Sequence, residues 1–245
     1  MLAVMKTYTE KQLQEILQKH KLWLDGKDGG DRANLNFADL SHADLSRTDL
    51  SYAELHYADL RYANLNHAIL NHAILLSANL GYADLRHANL SDANLVYADL
   101  GYASLYCADL GFADLKCANL RYANLRCANL CKADLSSVDL RCADLGSADL
   151  GCANLSDANL SYASLHSANL GYADLSKADL CGANLSGSDL GYADLSKADL
   201  SHADLGYADL SDANLSCADL RGANLRCANL CGANLSDADL ENALR

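Results

Sequence analysis

The decapeptide GYADLSKADL occupies residues 171–180 and returns letter for letter at residues 191–200. It holds two copies of a five-residue unit, A-[D/N]-L-x-x. Leucine fills every fifth position from Leu35 to Leu240, 42 times without an exception, and alanine almost always stands two residues before it. The three substitutes for that alanine are Thr48, Val138 and Ser188. Such regularity predicts one continuous repeat domain.

A period of five residues suits neither a helix nor a strand. On a helix, which turns about 100° per residue, leucines five apart would spiral around all sides. On a strand, whose side chains alternate between two faces, they would alternate sides. The chain must therefore turn once per pentad, so that each leucine points inward with the alanine two residues before it. This pattern predicts a solenoid whose repeats bury their inner face against their neighbours.

The tandem A-[D/N]-L-x-x unit resembles the pentapeptide repeat family over residues 33–243. The resemblance implies an all-β solenoid, namely a right-handed quadrilateral parallel β-helix with four pentads, or twenty residues, per coil. The shift of twenty between residues 171–180 and 191–200 agrees with that coil length. At four pentads per coil, the repeats amount to about 10 coils.

Residues 1–31 precede the repeats and are expected to form a separate N-terminal segment, with the β-helix and a short tail over residues 32–245. Within the segment, TEKQLQEILQKHKLWL at residues 9–24 predicts an amphipathic helix that begins with a Thr9/Gln12 capping box and ends before the glycine-rich residues 25–31. Its apolar face consists of Leu13, Ile16, Leu17 and Leu24. We expect this helix to cap the first coil. The run HKLWLDGKDGGDRANL also resembles the lead-in of some bacterial pentapeptide proteins.

The other end of the repeats has a short tail, because only ENALR follows Leu240. An uncovered coil edge is liable to pair with another chain. We therefore expect a homodimer through the uncapped C-terminal coil, with a two-fold axis. The alternative is that the tail folds over the end of a monomer.

Charge and cysteine content restrict the classes of function. A net charge of −13 argues against nucleic acid as a direct ligand. No apolar run reaches the about 18 residues of a membrane span, so no membrane association is expected. Ten cysteines without a secretory signal in MLAVMKTYTEKQ favour free thiols in the cytoplasm.

Coils of twenty residues would stack outward side chains into ladders. One aromatic ladder contains Tyr62, Tyr82, Tyr102 and Tyr122, and an acidic column contains Asp179, Asp199, Asp219 and Asp239. The tyrosines either stabilise the surface or form a strip for a partner protein. His67, His87, Cys107 and Cys127 share another column and are metal-ligand types. They would span about 15 Å, too far for one metal site.

Two isoleucines stand where most pentads carry Asp or Asn. Ile69 and Ile74 are predicted to form an exposed apolar patch with Leu76 and Val96. Three explanations are open: the apolar start at Leu2, Val4 and Met5 covers the patch, a partner binds it, or the substitutions are neutral.

The outward residues contain no evident catalytic constellation, so we expect a non-enzyme without cofactors. The leading hypothesis is a rigid-rod scaffold for a protein partner. The family resemblance implies one alternative, a DNA-mimicking protein that binds DNA gyrase or topoisomerase IV. Residues 143–240 carry a net charge of −10 that suits this mimicry, whereas residues 1–141 carry only −3. A metal-binding module is a further alternative.

Overall fold

The computed structural model describes residues 5–244 of the 245-residue chain. In chain order it contains strand β1 (Lys6–Thr7), helix α1 (Glu10–Leu24) and strand β2 (Ala38–Asp39), with β1 parallel to β2. From Asn34 onward the chain pairs with itself through parallel one-residue bridges, each between residues twenty apart, such as Asp99 and Asn119. These bridges fall into four columns, so each coil of the β-helix has four sides.

The interior of the β-helix is almost entirely leucine and alanine. Leu100 is 0% exposed and Ala98 is 1% exposed, and the same two positions are buried throughout the middle of the stack. Burial of a leucine side chain contributes about 1.5–3 kcal/mol. Since each coil packs only on the coils before and after it, this burial stabilises the stack as a whole and not any single coil.

Backbone hydrogen bonds join successive coils on every side. The Leu100 N–H donates to the Asn119 carbonyl at 2.7 Å, and the Asn119 N–H donates to the Ala98 carbonyl at 2.9 Å. The same two bonds recur along the stack. They satisfy backbone groups that would otherwise be costly to bury beside the leucine core.

Each corner of a coil is a tight turn whose third residue adopts a left-handed backbone. At one corner the Ala103 N–H donates to the Leu100 carbonyl at 3.0 Å, and Tyr102, the third turn residue, has φ 60°. A residue with a Cβ pays about 1–2 kcal/mol for this conformation. Nevertheless, 38 non-glycine residues within the range 5–244 adopt it, so the stacking of the coils must outweigh the cost at each corner. The pentad pattern did not predict this conformation.

The Asp or Asn before each leucine stabilises the corner that follows. For example, the Ser46 N–H donates to Asp44 Oδ1 at 3.1 Å, as short polar side chains do in turns. Neither Ile69 nor Ile74 has an oxygen that could accept this bond. The N–H groups of Asn71 and Leu76 therefore lack the acceptor that stabilises comparable corners.

Helix α1 lies against the β-helix near its first coil. Its capping box forms as predicted, with Gln12 N–H donating to Thr9 Oγ1 and Thr9 N–H donating to Gln12 Oε1. Leu13, Ile16 and Leu17 pack on the hydrophobic core, whereas Leu24 is half-buried beside it. Membrane-spanning helices are absent from the part of the chain that the structure describes.

A buried histidine anchors the end of α1. His20 is fully buried, its Nδ1 accepts the Ala33 N–H at 3.1 Å, and its ring stacks on Trp23 with centroids 5.7 Å apart. Desolvation by burial lowers the pKa of His20 below its ordinary value of 6.5.

The last coil leaves its apolar side open. Leu230, Leu235 and Leu240 are only half-buried, in contrast to the leucines of earlier coils. The tail continues the coil, because Leu244 bridges to Asn224 and its carbonyl accepts the Leu225 N–H at 2.7 Å. Within the described residues the tail therefore does not fold over the end.

Candidate functional site: the tyrosine face

The predicted aromatic ladder forms a stack along one corner of the β-helix. The ring centroids of Tyr62, Tyr82, Tyr102 and Tyr122 follow one another at 5.0, 4.9 and 4.8 Å. His42 extends the stack, 5.0 Å from Tyr62. Each tyrosine remains about half exposed. The corner residue is Cys142 in the next coil, so the continuous ladder ends there.

Beside the ladder lies an open trough with a volume of about 380 Å³. It exists because Gly81 and Gly101 replace larger side chains at the turn position just before the tyrosines. The same position carries arginine in the flanking coils, at Arg61 and Arg121. The trough is thus about two coils long, with an arginine at each end. We define the tyrosine face as the four ladder tyrosines together with this trough.

The two arginines of the tyrosine face differ in their partners. Arg61 forms an ion pair with Asp59, and its hydrogen bonds to that carboxylate hold the pKa of Asp59 below its ordinary range. Arg121 follows Asn119 in place of an aspartate, and it has no carboxylate within 4.0 Å among residues 5–244. Its guanidinium lies over the Tyr122 ring at 5.6 Å, and its shielded Nε has no hydrogen-bond partner among the described residues.

A short sequence signal accounts for this difference. Where Asp-Leu-Arg occurs, the arginine binds the aspartate two residues before it, as in the pairs Arg61–Asp59, Arg86–Asp84, Arg141–Asp139 and Arg221–Asp219. Asn-Leu-Arg offers no such carboxylate. Arg121 was not among the residues predicted from the sequence. The same three letters also end at Arg126, which reaches Asp144 in the next coil at 3.7 Å, and at Arg226, so the motif alone does not single out Arg121.

The predicted acidic column is continuous along one side of the rod. Asp179, Asp199 and Asp219 bridge in series, and Asp219 bridges to Asp239. Arg221 contacts the carboxylates of both Asp219 and Asp239, and its hydrogen bond lowers the pKa of Asp219. The negative potential of the column is therefore partly compensated at its C-terminal end.

The predicted apolar patch does not continue along the rod axis in the columns of its two isoleucines. Ile69 is 37% exposed and bridges to Asp49 and Asn89, while the half-buried Ile74 bridges to Glu54 and Asn94. Leu76 and Val96 are half-buried neighbours in one column. Of the apolar start proposed to cover the patch, Leu2 and Val4 lie outside the described residues, and Met5 is exposed.

The candidate metal column places like residues side by side. The rings of His67 and His87 stack with centroids 4.9 Å apart, and Cys107 and Cys127 follow in the same column. Among residues 5–244 no three His, Cys, Asp or Glu side chains come close enough together to hold a metal ion. All ten cysteines are free thiols.

Comparison with known proteins identifies the family. A model of pentapeptide repeats matches eight times, over residues 31–66, 53–92, 83–116, 113–151, 139–176, 148–187, 182–216 and 213–243. The chain belongs to the pentapeptide repeat family, and the solved structures it resembles imply a right-handed β-helix, as predicted.

Among solved structures, HetL from the cyanobacterium Nostoc sp. strain PCC 7120 is 37% identical, with 96% of each chain covered and a TM-score of 0.69. HetL is described as a pentapeptide repeat protein involved in heterocyst differentiation regulation. Rfr23 from the cyanobacterium Cyanothece 51142 is 38% identical over 39% of this chain and 63% of its own, with a TM-score of 0.35. The fluoroquinolone resistance protein QnrB1 is 19% identical over 72% of this chain and 86% of its own, with a TM-score of 0.40. No protein with a curated functional description matches significantly.

Proposed function

We propose that this protein is a non-catalytic rigid rod whose tyrosine face binds a protein partner. The observation that carries the proposal is the ladder of four half-exposed tyrosines at about 5 Å spacing beside an open trough. Tyrosine is enriched among residues that dominate binding energy at protein interfaces. A rod of about ten coils would hold these side chains with little loss of conformational freedom on binding.

The likeness to HetL supports an interaction role. HetL is described as a protein involved in regulation, and its likeness to this chain extends over 96% of both proteins. A regulatory protein without chemistry of its own acts by binding. We therefore propose a regulatory interaction, with the partner defined by the tyrosine face.

Photo-cross-linking from defined faces of the rod tests the proposal. A photoreactive phenylalanine analogue at Tyr82 is compared with the same analogue at Tyr192, which lies on the opposite side of a twenty-residue coil. We expect a discrete adduct from the Tyr82 position that an excess of unlabelled protein abolishes, and no equivalent adduct from Tyr192. Equal adducts from both positions would overturn the assignment of the tyrosine face.

A second candidate function is DNA mimicry toward gyrase or topoisomerase IV. The continuous acidic column from Asp179 to Asp239 favours it, whereas the ion pairs of Arg221 weaken it. A supercoiling assay with purified gyrase tests this reading. If micromolar protein neither inhibits gyrase nor protects it, DNA mimicry is excluded.

We also propose that the two ends of the rod differ in role. The segment of residues 1–31 would cap the first coil through α1, while the β-helix over residues 32–245 forms the interaction domain. The half-buried Leu230, Leu235 and Leu240 would join two copies into a homodimer through a two-fold contact. Sedimentation of the wild type against Leu235→Asp tests this: we expect a dimer that the substitution dissociates, and a wild-type monomer at about 100 μM would refute it.

A further inference from the structure

The trough of the tyrosine face has the dimensions of an extended peptide. Its two open coils, at Gly81 and Gly101, span about 10 Å, which is the length of about three residues of extended chain, and the bounding Arg61 and Arg121 lie three coil spacings, or about 14 Å, apart. It opens where Gly81 and Gly101, both buried, take positions at which the flanking coils carry arginine. An extended segment could therefore lie in it without displacing any part of the rod.

Arg121, at one end of the trough, has no ion-pair partner among the described residues. Its Nε is shielded from solvent and has no hydrogen-bond partner among residues 5–244, which is costly for a charged donor. The Tyr122 ring beneath its guanidinium holds the group in place. A carboxylate is the planar partner that an arginine fork fits best.

The remaining polar groups argue against a polyanion. Arg61 is already neutralised by Asp59, and Asp99 lies in the floor, with its Oδ1 accepting the Gly101 N–H at 3.0 Å and an Asn119 amide hydrogen at 2.7 Å. A nucleic-acid backbone would place phosphates near Asp99 in a protein of net charge −13. A single carboxylate next to neutral backbone avoids this repulsion, and the peptide N–H groups can donate to Asp99.

We propose that the trough over Gly81 and Gly101 binds an extended segment of a partner protein, with one acidic side chain of that segment paired to Arg121. This inference rests on the tyrosine face being the interface, and adds the chemistry of the partner. The half-exposed ladder tyrosines, which line the trough, form the wall along which the segment lies. Arg121 sets its register by fixing the carboxylate at one end.

The chain offers closely matched variants for the test. Gly101→Arg fills the trough with the residue that the same turn position carries in other coils, and Gly151→Arg makes the same change on the opposite side. A Cβ at either glycine meets equivalent neighbours at equal distances. At Gly101 these are Asp99 and Asn119, at 3.2 and 3.3 Å, and at Gly151 they are Asp149 and Asn169, at 3.2 and 3.3 Å. For the charge, Arg121→Gln is matched by Arg221→Gln, whose arginine is bound to Asp219 far along the rod.

The experiment selects ligands from a phage library of random linear decapeptides on the immobilised full chain. We expect the selected peptides to be enriched in Asp or Glu at one position. Fluorescence polarisation with these peptides should show affinity weakened about tenfold or more by Gly101→Arg and by Arg121→Gln. Gly151→Arg and Arg221→Gln should change the affinity by less than about twofold.

Several results would overturn the inference. Failure to select any peptide, selection of peptides without an acidic position, or unchanged binding to Gly101→Arg and Arg121→Gln would each do so. The double substitution Tyr82→Ser/Tyr102→Ser separates the two levels of the proposal. If the double substitution abolishes peptide binding while Arg121→Gln does not, the tyrosine face is the binding site but the proposed pairing of a carboxylate with Arg121 is wrong. If the cross-linked partner itself binds regardless of these tyrosines, the proposed function fails.

Discussion

Gly187 occupies one of the left-handed corners and allows the backbone cost of those corners to be measured. Its φ is +63°, and a Cβ there would meet only Ser167 Oγ, at 3.8 Å. Gly187→Ala therefore changes the backbone preference without creating a clash. The left-handed conformation costs alanine about 1–2 kcal/mol more than glycine. Alanine has less conformational freedom than glycine in the unfolded chain, and this difference offsets about 0.4–1 kcal/mol of that cost. We expect a net loss of about 0.5–1 kcal/mol in the free energy of unfolding.

Urea unfolding followed by circular dichroism measures this loss. Gly171→Ala is the control. Gly171 lies one residue before the left-handed position of its own turn and has no positive φ, and its Cβ would meet Asn169 Oδ1 at 3.3 Å. The control should leave stability unchanged or raise it by about 0.5 kcal/mol. Gly187→Val should destabilise more than Gly187→Ala, since a β-branched residue is least tolerated at positive φ. Equal effects of Gly187→Ala and Gly171→Ala would refute the account of the corners.

Three further outcomes are expected. Ile69→Asn/Ile74→Asn should raise the free energy of unfolding by about 1 kcal/mol, because each asparagine restores an acceptor for a corner N–H; a loss of stability in urea would indicate that the isoleucines pack against another part of the chain. Because burial lowers the pKa of His20, its neutral form is favoured in the fold, and docking of α1 should weaken as pH falls below 6.5. The fluorescence of Trp23, the single tryptophan, should change in a transition below pH 6.5, and His20→Gln should remove that transition. If the transition persists in the variant, His20 is not its cause. Alkylation of the denatured, unreduced protein should modify ten thiols, and fewer would contradict the free cysteines.

Much of this architecture could be predicted from the pentads. The leucine at every fifth position dictates a turn per pentad, and the exact return of residues 171–180 at 191–200 indicates the coil length. The capping box at Thr9 and Gln12 is a local signal, so it needs no knowledge of the fold. These features depend on periodicity or on neighbouring residues, and both are visible in one sequence.

The tyrosine face was only partly predictable. The ladder follows once coils of twenty are assumed, but the trough requires Gly81 and Gly101 to be recognised as stacked neighbours between two arginines. The partnerless Arg121 could not be predicted from Asn-Leu-Arg alone, because the same letters end at Arg126, which pairs with Asp144 in the next coil. The left-handed corners oppose the intrinsic preference of the residues that form them, so propensity alone could not predict them.

In the proposed function the ladder tyrosines bind a partner and do not merely stabilise the surface. Serine occurs at the same corner position at Ser77, Ser147 and Ser167 with a positive φ, so Tyr82→Ser/Tyr102→Ser retains a conformation that the rod already accepts. Loss of ring stacking should lower the free energy of unfolding by about 1–3 kcal/mol.

The decisive measurement is a binding titration of the partner cross-linked at Tyr82 against wild type and this double variant, both confirmed as folded. We expect affinity at least about tenfold weaker for the variant, as for other interface tyrosines. An affinity equal to that of the wild type would contradict this expectation and would leave the ladder as surface stabilisation.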